Sequence, residues 1–483
     1  MNKIKIISTI GPKTSNYNEL CLLIKKGTDI FRLNGSHNTF LWHATVIKRI
    51  KSINKNIPIL FDIPGKKIRT TGIKKNINFK KNDVLVFASK NIKNNFEKIL
   101  VNKNNFHKFV NKNQIIFADD GTLAFKIIKI DQYKNVHVKA LNGGELKNGK
   151  GINIPGYDFG GSLLNSRDKK FVSFAKKNKV DFIGLSFVES GDHVKKYKKF
   201  IGTNSFLKIV SKIESAKGLR NLEEIISYSD AIMIDRGDLS IETSDHSLAI
   251  MQKRIINLGK KLSKPVIVAT ELLNNMILNK FPTRSEVSDI GNAIIDGASV
   301  LMLSGETAVG NFFKESVETM RDIASSIEDD IYETRLNEKK ILKNFDIKTF
   351  DYSAEAIELI CKKGKINKII AITRSGFAAR CLSLRNFKIP IIAVSDDENN
   401  ARSFNIYAGV RGIYYSKKFK KKNLDFFKEV LKFLFLKKII NSNDNILVTA
   451  LAYPGGGNRM NLIQTHSVKH LKNLLGWNVS SRK

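Results

Sequence analysis

Cysteine is scarce: Cys21, Cys361 and Cys381 are the only three in 483 residues, far apart and without CxxC spacing. That excludes a disulfide framework and a cysteine zinc site, and suits a reducing compartment. Long apolar runs are lacking too. Stretches such as Phe433 to Leu436 fall far short of the roughly 20 residues that span a bilayer. The amino terminus reads straight into a strand, so no signal peptide is expected. A soluble, cytoplasmic chain with no membrane partner is therefore expected. Acidic side chains are the third shortage, 45 against 82 lysines and arginines, for a formal net charge of +37. A nucleic-acid footprint is a basic patch or stripe. These lysines instead run along the whole chain beside abundant isoleucine and asparagine, residues that share AT-rich codons. Nucleic acid is not the expected partner, although the positive field would steer anionic phosphates to a site. Short-period repeats and low-complexity tracts are missing as well.

What is present is a strand–helix rhythm. At this length about two to four domains are expected, and 42% hydrophobic residues can fill a sizeable core. Ile4 to Ile10 reads as the first strand, closed by Gly11 and Pro12. Asp29 to Leu33 reads as the second and Ile57 to Phe61, ending at Asp62, as the third. Helices are expected at Leu20 to Lys26 and near Trp42 to Ile53. From about Thr71 to Asn153 the pattern changes to short alternating strands, including Phe125 to Ile130 and Asn135 to Ala140, with a turn-like stretch at Asp119 to Thr122. The rhythm resumes with Phe182 to Leu185, Val266 to Ala269 and Val300 to Leu303. Eight such strands with intervening helices predict a (β/α)8 TIM barrel over 1–70 and 154–344. The all-β segment, 71–153, follows strand three and is placed as a lid. After a charged connection near Glu333 to Lys343, a separate α/β parallel-sheet domain is expected over 345–483. Its strands are read at Ile369 to Thr373, Ile391 to Val394 and Asn445 to Thr449.

The rest of the chain is organised around Leu207 to Ser240. Two apolar runs there end abruptly in charge, Lys212 and Glu214 after the first, Arg236 and Asp238 after the second. Hard carboxylate oxygens suit a divalent cation such as magnesium, and a lysine beside it suits a substrate that moves negative charge. By spacing alone an ordinary ion-pair cluster would read the same. Other strands also end in polar groups, and in a barrel of this kind the active site lies at those ends.

In order, the chain carries STIGP, FRLNGSH, KGIN, SKIES, RGDLS, PVIVAT, PTRSEVSDIGNAIIDGA and MLSGETA. Together, over almost the whole length, these resemble the pyruvate kinase family. The resemblance implies a glycolytic phosphotransferase that moves the phosphoryl group of phosphoenolpyruvate to ADP, giving pyruvate and ATP. It also implies magnesium, usually potassium, and usually a homotetramer. Carried over residue by residue, Glu214 and Asp238 match magnesium ligands. Lys212 matches the group that stabilises the transition state, and Arg32 a phosphate-binding arginine. Gly237, Asp238 and Thr270 match positions around the substrate carboxylate, Thr270 also near where the enolate is protonated. Asn34, His37, Arg69 and Lys150 match nucleotide contacts. Asn34, Ser36, Asp62 and the carbonyl of Ile63 match a potassium site. Thr373, Ser375 and Gly376 match the region of a sugar-phosphate effector, with Pro454 to Asn458 as a second loop; an ordinary strand-to-helix turn would read the same.

The chain departs from the family pattern in places. The usual DTKGPEIR is DIPGKKIR here, so Lys67 stands where glutamate is usual. The resemblance implies that its ammonium replaces potassium, and weak potassium dependence is expected. The usual ARGDLG is DRGDLS, which adds Asp235 and Ser240. An added carboxylate beside a metal should repel like charge unless it finds a cation. Asn38 replaces the usual glycine after His37. Two other readings follow: a weakened, scaffold-like relative, and a different phosphoenolpyruvate- or pyruvate-handling barrel enzyme, which would lack the lid and the last domain.

Overall fold

Short polar side chains start the helices and glycines stop several of them. The Thr39, Ser190 and Ser215 side chains accept from backbone N–H groups three residues on, and Asn165–Asp168 and Thr283–Glu286 form reciprocal capping boxes. Gly27 and Gly297 end their helices in the left-handed region, which costs other residues most. These signals punctuate a computed structural model that describes residues 3–89, 98–119, 121–157, 164–202, 205–243, 245–337, 349–385, 387–419, 426–451 and 460–477.

Eight parallel strands close into a barrel: Lys5–Thr9, Ile30–Asn34, Ile59–Ile63, Phe182–Leu185, Lys208–Ile213, Ala231–Asp235, Val266–Ala269 and Val300–Leu303. The third runs two residues later than its expected span. Pro58 has no N–H to give the ladder, so pairing starts after it and carries Asp62 inside the strand. A second closed barrel of seven strands is inserted after strand three. It includes Ile68–Thr71, whose Ile68 and Arg69 pair with Ile152 and Gly151. The insertion thus begins before the edge expected at residue 71.

Alternation along each strand sorts the barrel side chains. Ile7, Ile30, Leu60, Val210 and Met233 belong to one buried interior cluster. Their neighbours Ile6, Phe31, Phe61, Ile209 and Ile232 pack outward against the helices. Two residues beyond the interior positions stand Thr9, Arg32, Asp62, Lys212 and Asp235. The interior is thus apolar at one level and ionised at the next, toward the carboxyl ends of the strands.

The last domain is a sheet of four parallel strands, Val410–Tyr414, Ile391–Ser395, Lys368–Ile372 and Asn445–Ala450, with Leu462–Ser467 antiparallel at its edge. It seals the other end of the large barrel, where Ile406 joins the interior cluster. Arg402 reaches across to Asp181 at 2.6 Å, an ion pair with side chains 7% and 0% exposed.

Candidate active site

The ionised level of the barrel interior centres on Lys212. Its ammonium lies 2.6 Å from Glu214 Oε1, 3.0 Å from Asp235 Oδ2 and 3.8 Å from Asp62 Oδ2. Burial opposes the charge on Lys212, but Glu214, Asp235 and Asp62 outweigh it and hold the ammonium protonated above its usual range. Burial pushes the Glu214 carboxyl up to about 8, against the pull of Lys212. Burial acts the same way on Asp235, yet Lys212 wins and holds it down at about 2. The carboxylate that sequence flagged as a source of repulsion has therefore found a cation. Its interior placement was readable from period two, since it stands two residues after Met233.

Glu214 Oε2 accepts from the backbone N–H of Phe187 at 2.6 Å, a donor that side-chain reasoning does not see. Asp238 comes from the first turn of the helix Arg236–Thr243 rather than from a strand. Its Oδ1 receives Lys67 Nζ at 2.5 Å and the Asn153 amide at 2.9 Å. Lys67 was expected among Asn34, Ser36 and Asp62; its ammonium lies on Asp238. Arg32 gives two bonds to Asp62 Oδ2, at 2.9 and 2.7 Å, and a third to Thr9 Oγ1 at 3.2 Å. The pair fits because residue 184 is glycine: a Cβ there would fall 1.9 Å from Asp62 Oδ1.

Glu214, Asp235 and Asp238 each offer an oxygen within 4.8 Å of the others, all buried. Buried carboxylates this close call for shared positive charge, and the hard oxygen set fits magnesium. Asp62 Oδ1 is buried without a hydrogen bond among the described residues, a donor suited to a further cation.

Thr270 has φ 67° and Glu271 φ 53°. A β-branched residue at positive φ is strained. Arg236 holds the strain by donating to the carbonyl of Thr270 at 3.1 and 2.8 Å and to that of Glu271 at 2.7 Å. Thr270 Oγ1 then accepts from Gly237 N–H at 3.0 Å and lies 3.4 Å from Asp235 Oδ1. Gly237 and Thr270 thus touch through a clamp built on Arg236, which the sequence marked only as the charged end of an apolar run. Replacing Arg236 by alanine should release Thr270 and lower kcat about a hundredfold, as small misplacements of reacting groups do. Steady-state assay of the folded variant checks this; unchanged kcat would remove the clamp from the site's design.

Comparison with known proteins decides the family. The pyruvate kinase barrel-domain family model matches residues 1–317 and the pyruvate kinase alpha/beta-domain model residues 352–466. The chain belongs to the pyruvate kinase family. It is 35% identical to the pyruvate kinase of Debaryomyces hansenii over 86% of this chain and 85% of that protein. It is 34% identical to that of Candida albicans over 86% and 85%. Identity to the pyruvate kinase of Buchnera aphidicola subsp. Schizaphis graminum is 35% over 93% and 95%. As a pyruvate kinase family member it is a glycolytic phosphotransferase.

Of the residues matched by resemblance to nucleotide contacts, Arg69 bridges the two barrels. Arg69, on the inserted barrel's strand Ile68–Thr71, donates to Ser36 Oγ at 3.2 Å and to the Gly149 carbonyl at 2.8 Å. Asn34 Oδ1 accepts from the N–H of Ser36 at 3.0 Å. The Ile63 carbonyl accepts from Ser186 Oγ at 2.8 Å. His37 is exposed, its carbonyl 2.9 Å from His43 Nε2. Lys150 pairs with Asp119 at 2.6 Å. In the last domain Thr373 Oγ1 accepts from the N–H of Gly376 at 3.1 Å, closing the turn that contains Ser375. Pro454 to Asn458 lies outside the described residues. Ser240 Oγ donates to the Gly237 carbonyl at 3.1 Å, inside its own helix. No helix among the described residues is long and apolar enough to cross a membrane.

Proposed function

We propose that this chain transfers the phosphoryl group of phosphoenolpyruvate to ADP at the mouth of the large barrel, yielding pyruvate and ATP. The observation that carries the reading is the Lys212 ammonium, buried at 2.6 Å from Glu214 in a carboxylate group that fits magnesium. Glu214 and Asp238 would hold the magnesium. When bound, that ion supplies charge neutralisation to the phosphoryl oxygens. Arg32, kept in place by Asp62 and Thr9, takes a phosphate oxygen with its planar fork. Lys212 stabilises the phosphoryl group in flight and the enolate oxygen left behind. Gly237 and Thr270 face the substrate carboxylate, and Thr270 borders the path by which the enolate gains its proton. Asn34, His37, Arg69 and Lys150 receive the nucleotide. The inserted barrel carries the last two and closes as a lid that excludes water.

A coupled assay of the purified chain with phosphoenolpyruvate, ADP and magnesium tests the reading. Pyruvate and ATP should form in equal amounts, and no pyruvate would overturn it. The scaffold alternative loses its motive, because Asp235 is paired with Lys212 at 3.0 Å.

Potassium dependence should be weak. Asn34, Ser36, Asp62 and the Ile63 carbonyl would form the monovalent site, and Lys67 brings a fixed ammonium to the neighbouring Asp238. Turnover in potassium-free buffer with tetramethylammonium as counter-ion should stay within about threefold of that with potassium, since a built-in charge needs no ion to be recruited. Loss of nearly all turnover would refute it. The chain works in the cytoplasm and assembles as a homotetramer; Leu278 and Phe281, 73% and 72% exposed, support self-association. A sugar-phosphate effector would bind at Thr373, Ser375 and Gly376, and a labelled sugar bisphosphate tests that.

A further inference from the structure

Four buried carboxylates, Asp62, Glu214, Asp235 and Asp238, face two buried cations, Arg32 and Lys212, and the half-buried Lys67. Every cation is taken. Arg32 sits 2.7 Å from Asp62, Lys67 2.5 Å from Asp238, and Lys212 between Glu214 and Asp235 at 2.6 and 3.0 Å. With Glu214 ionised, as a bound divalent cation would keep it, Asp235 is the carboxylate that makes the acids of this group exceed the bases. Without it, each carboxylate offered to a divalent cation would already be neutralised by its own ammonium or guanidinium. Lys67 creates that need, because it places an ammonium on an oxygen of a candidate metal ligand.

We propose that Lys67 and Asp235 act as one unit: Lys67 fixes Asp238 with a positive charge, and Asp235 returns the negative charge that Lys67 cancels, so that Glu214 and Asp238 still attract a divalent cation. Asp235 is a positioning residue in this scheme. It also keeps hold of Lys212 when Glu214 is drawn to the cation, and its link to Thr270 Oγ1 at 3.4 Å ties that ammonium to the substrate's carboxylate end. The attraction is electrostatic and acts across a buried region of low effective dielectric, where one unit charge changes ion affinity strongly. The inference rests on the reading of Glu214 and Asp238 as the divalent pair.

Manganese binding to the full chain without substrates, followed by electron paramagnetic resonance, tests it without turnover. Asp235→Ala and Asp235→Asn should each weaken binding about tenfold or more, Asn keeping the side chain's shape so that misfolding is not the cause. Lys67→Met should tighten binding, and the Lys67→Met/Asp235→Asn double variant should return within about threefold of the unaltered chain, since opposite charges offset. A defect of folding alone would not be cured by a second substitution. Binding by Asp235→Asn within about threefold of the unaltered chain would overturn the inference. So would a Lys67→Met variant whose affinity is unchanged or lower. If the unaltered chain binds no manganese, the divalent reading fails and this inference with it; if it binds and Asp235→Asn binds equally, only this inference fails.

Discussion

Replacing Lys212 by methionine should lower kcat about a thousandfold or more, because one preorganised donor to developing negative charge is commonly worth a hundred- to a thousandfold. Here the group is a full ammonium in a buried site, 2.6 Å from Glu214 and 3.0 Å from Asp235, and among the described residues no other lysine is ion-paired with both. The substitution has a second consequence. Methionine fills much of the same space but leaves Glu214 and Asp235 without their shared cation. Removing one partner of a buried ion pair costs about 3–5 kcal/mol, since the remaining charge is uncompensated. The variant should therefore melt lower than the unaltered chain in the absence of divalent ions. Magnesium should raise its melting temperature more than that of the unaltered chain, by supplying the missing positive charge. Thermal melts with and without magnesium, beside the pyruvate assay, check both parts. A variant with near-normal kcat would remove Lys212 from the chemistry. Equal magnesium effects on the two proteins would contradict the placement of the cation site.

Replacing Arg402 by alanine should destabilise the junction between the barrel and the last domain by about 3–5 kcal/mol. Asp181 sits fully buried at the start of the fourth barrel strand, with Arg402 Nε at 2.6 Å and the Ile59 N–H at 2.9 Å. Burial pushes the Asp181 carboxyl up, and Arg402 is the main group opposing that. Without the guanidinium the carboxyl rises further. A carboxyl whose folded value exceeds its unfolded one favours the folded state while protonated, and that stability is lost as pH rises through the folded value. The deficit of the variant should then be largest near pH 8 and shrink toward pH 5. Urea melts at the two pH values measure it. An equal deficit at both, or none, would show that Asp181 is not held as an ion in the intact chain.

Much of the site was legible because the information is local. An apolar run that stops at a charged side chain marks a strand and its mouth-facing end together. Lys212, Glu214, Arg32 and Asp62 could be named that way, and period two extends the same logic to Asp235. Pro58 shifted strand three by a rule that also sits in the sequence, though the expected span overlooked it. Other features depend on residues that meet only after folding. Lys67 and Asp238 are 171 positions apart, and Asn153 and Asp238 are 85 apart. Their pairing was settled by where the inserted barrel docks. The Phe187 N–H on Glu214 and the strained backbone of Thr270 carry no side-chain signature.

The sequence by itself determined the barrel, its order of strands and which side chains stand at its open end, because strand alternation and helix caps act over a few neighbouring residues. Only the tertiary structure decided which charge answers which. Burial makes every ionised group find its partner in space, and whether Lys67 serves Asp62 or Asp238 is a matter of a few ångströms that no local pattern encodes.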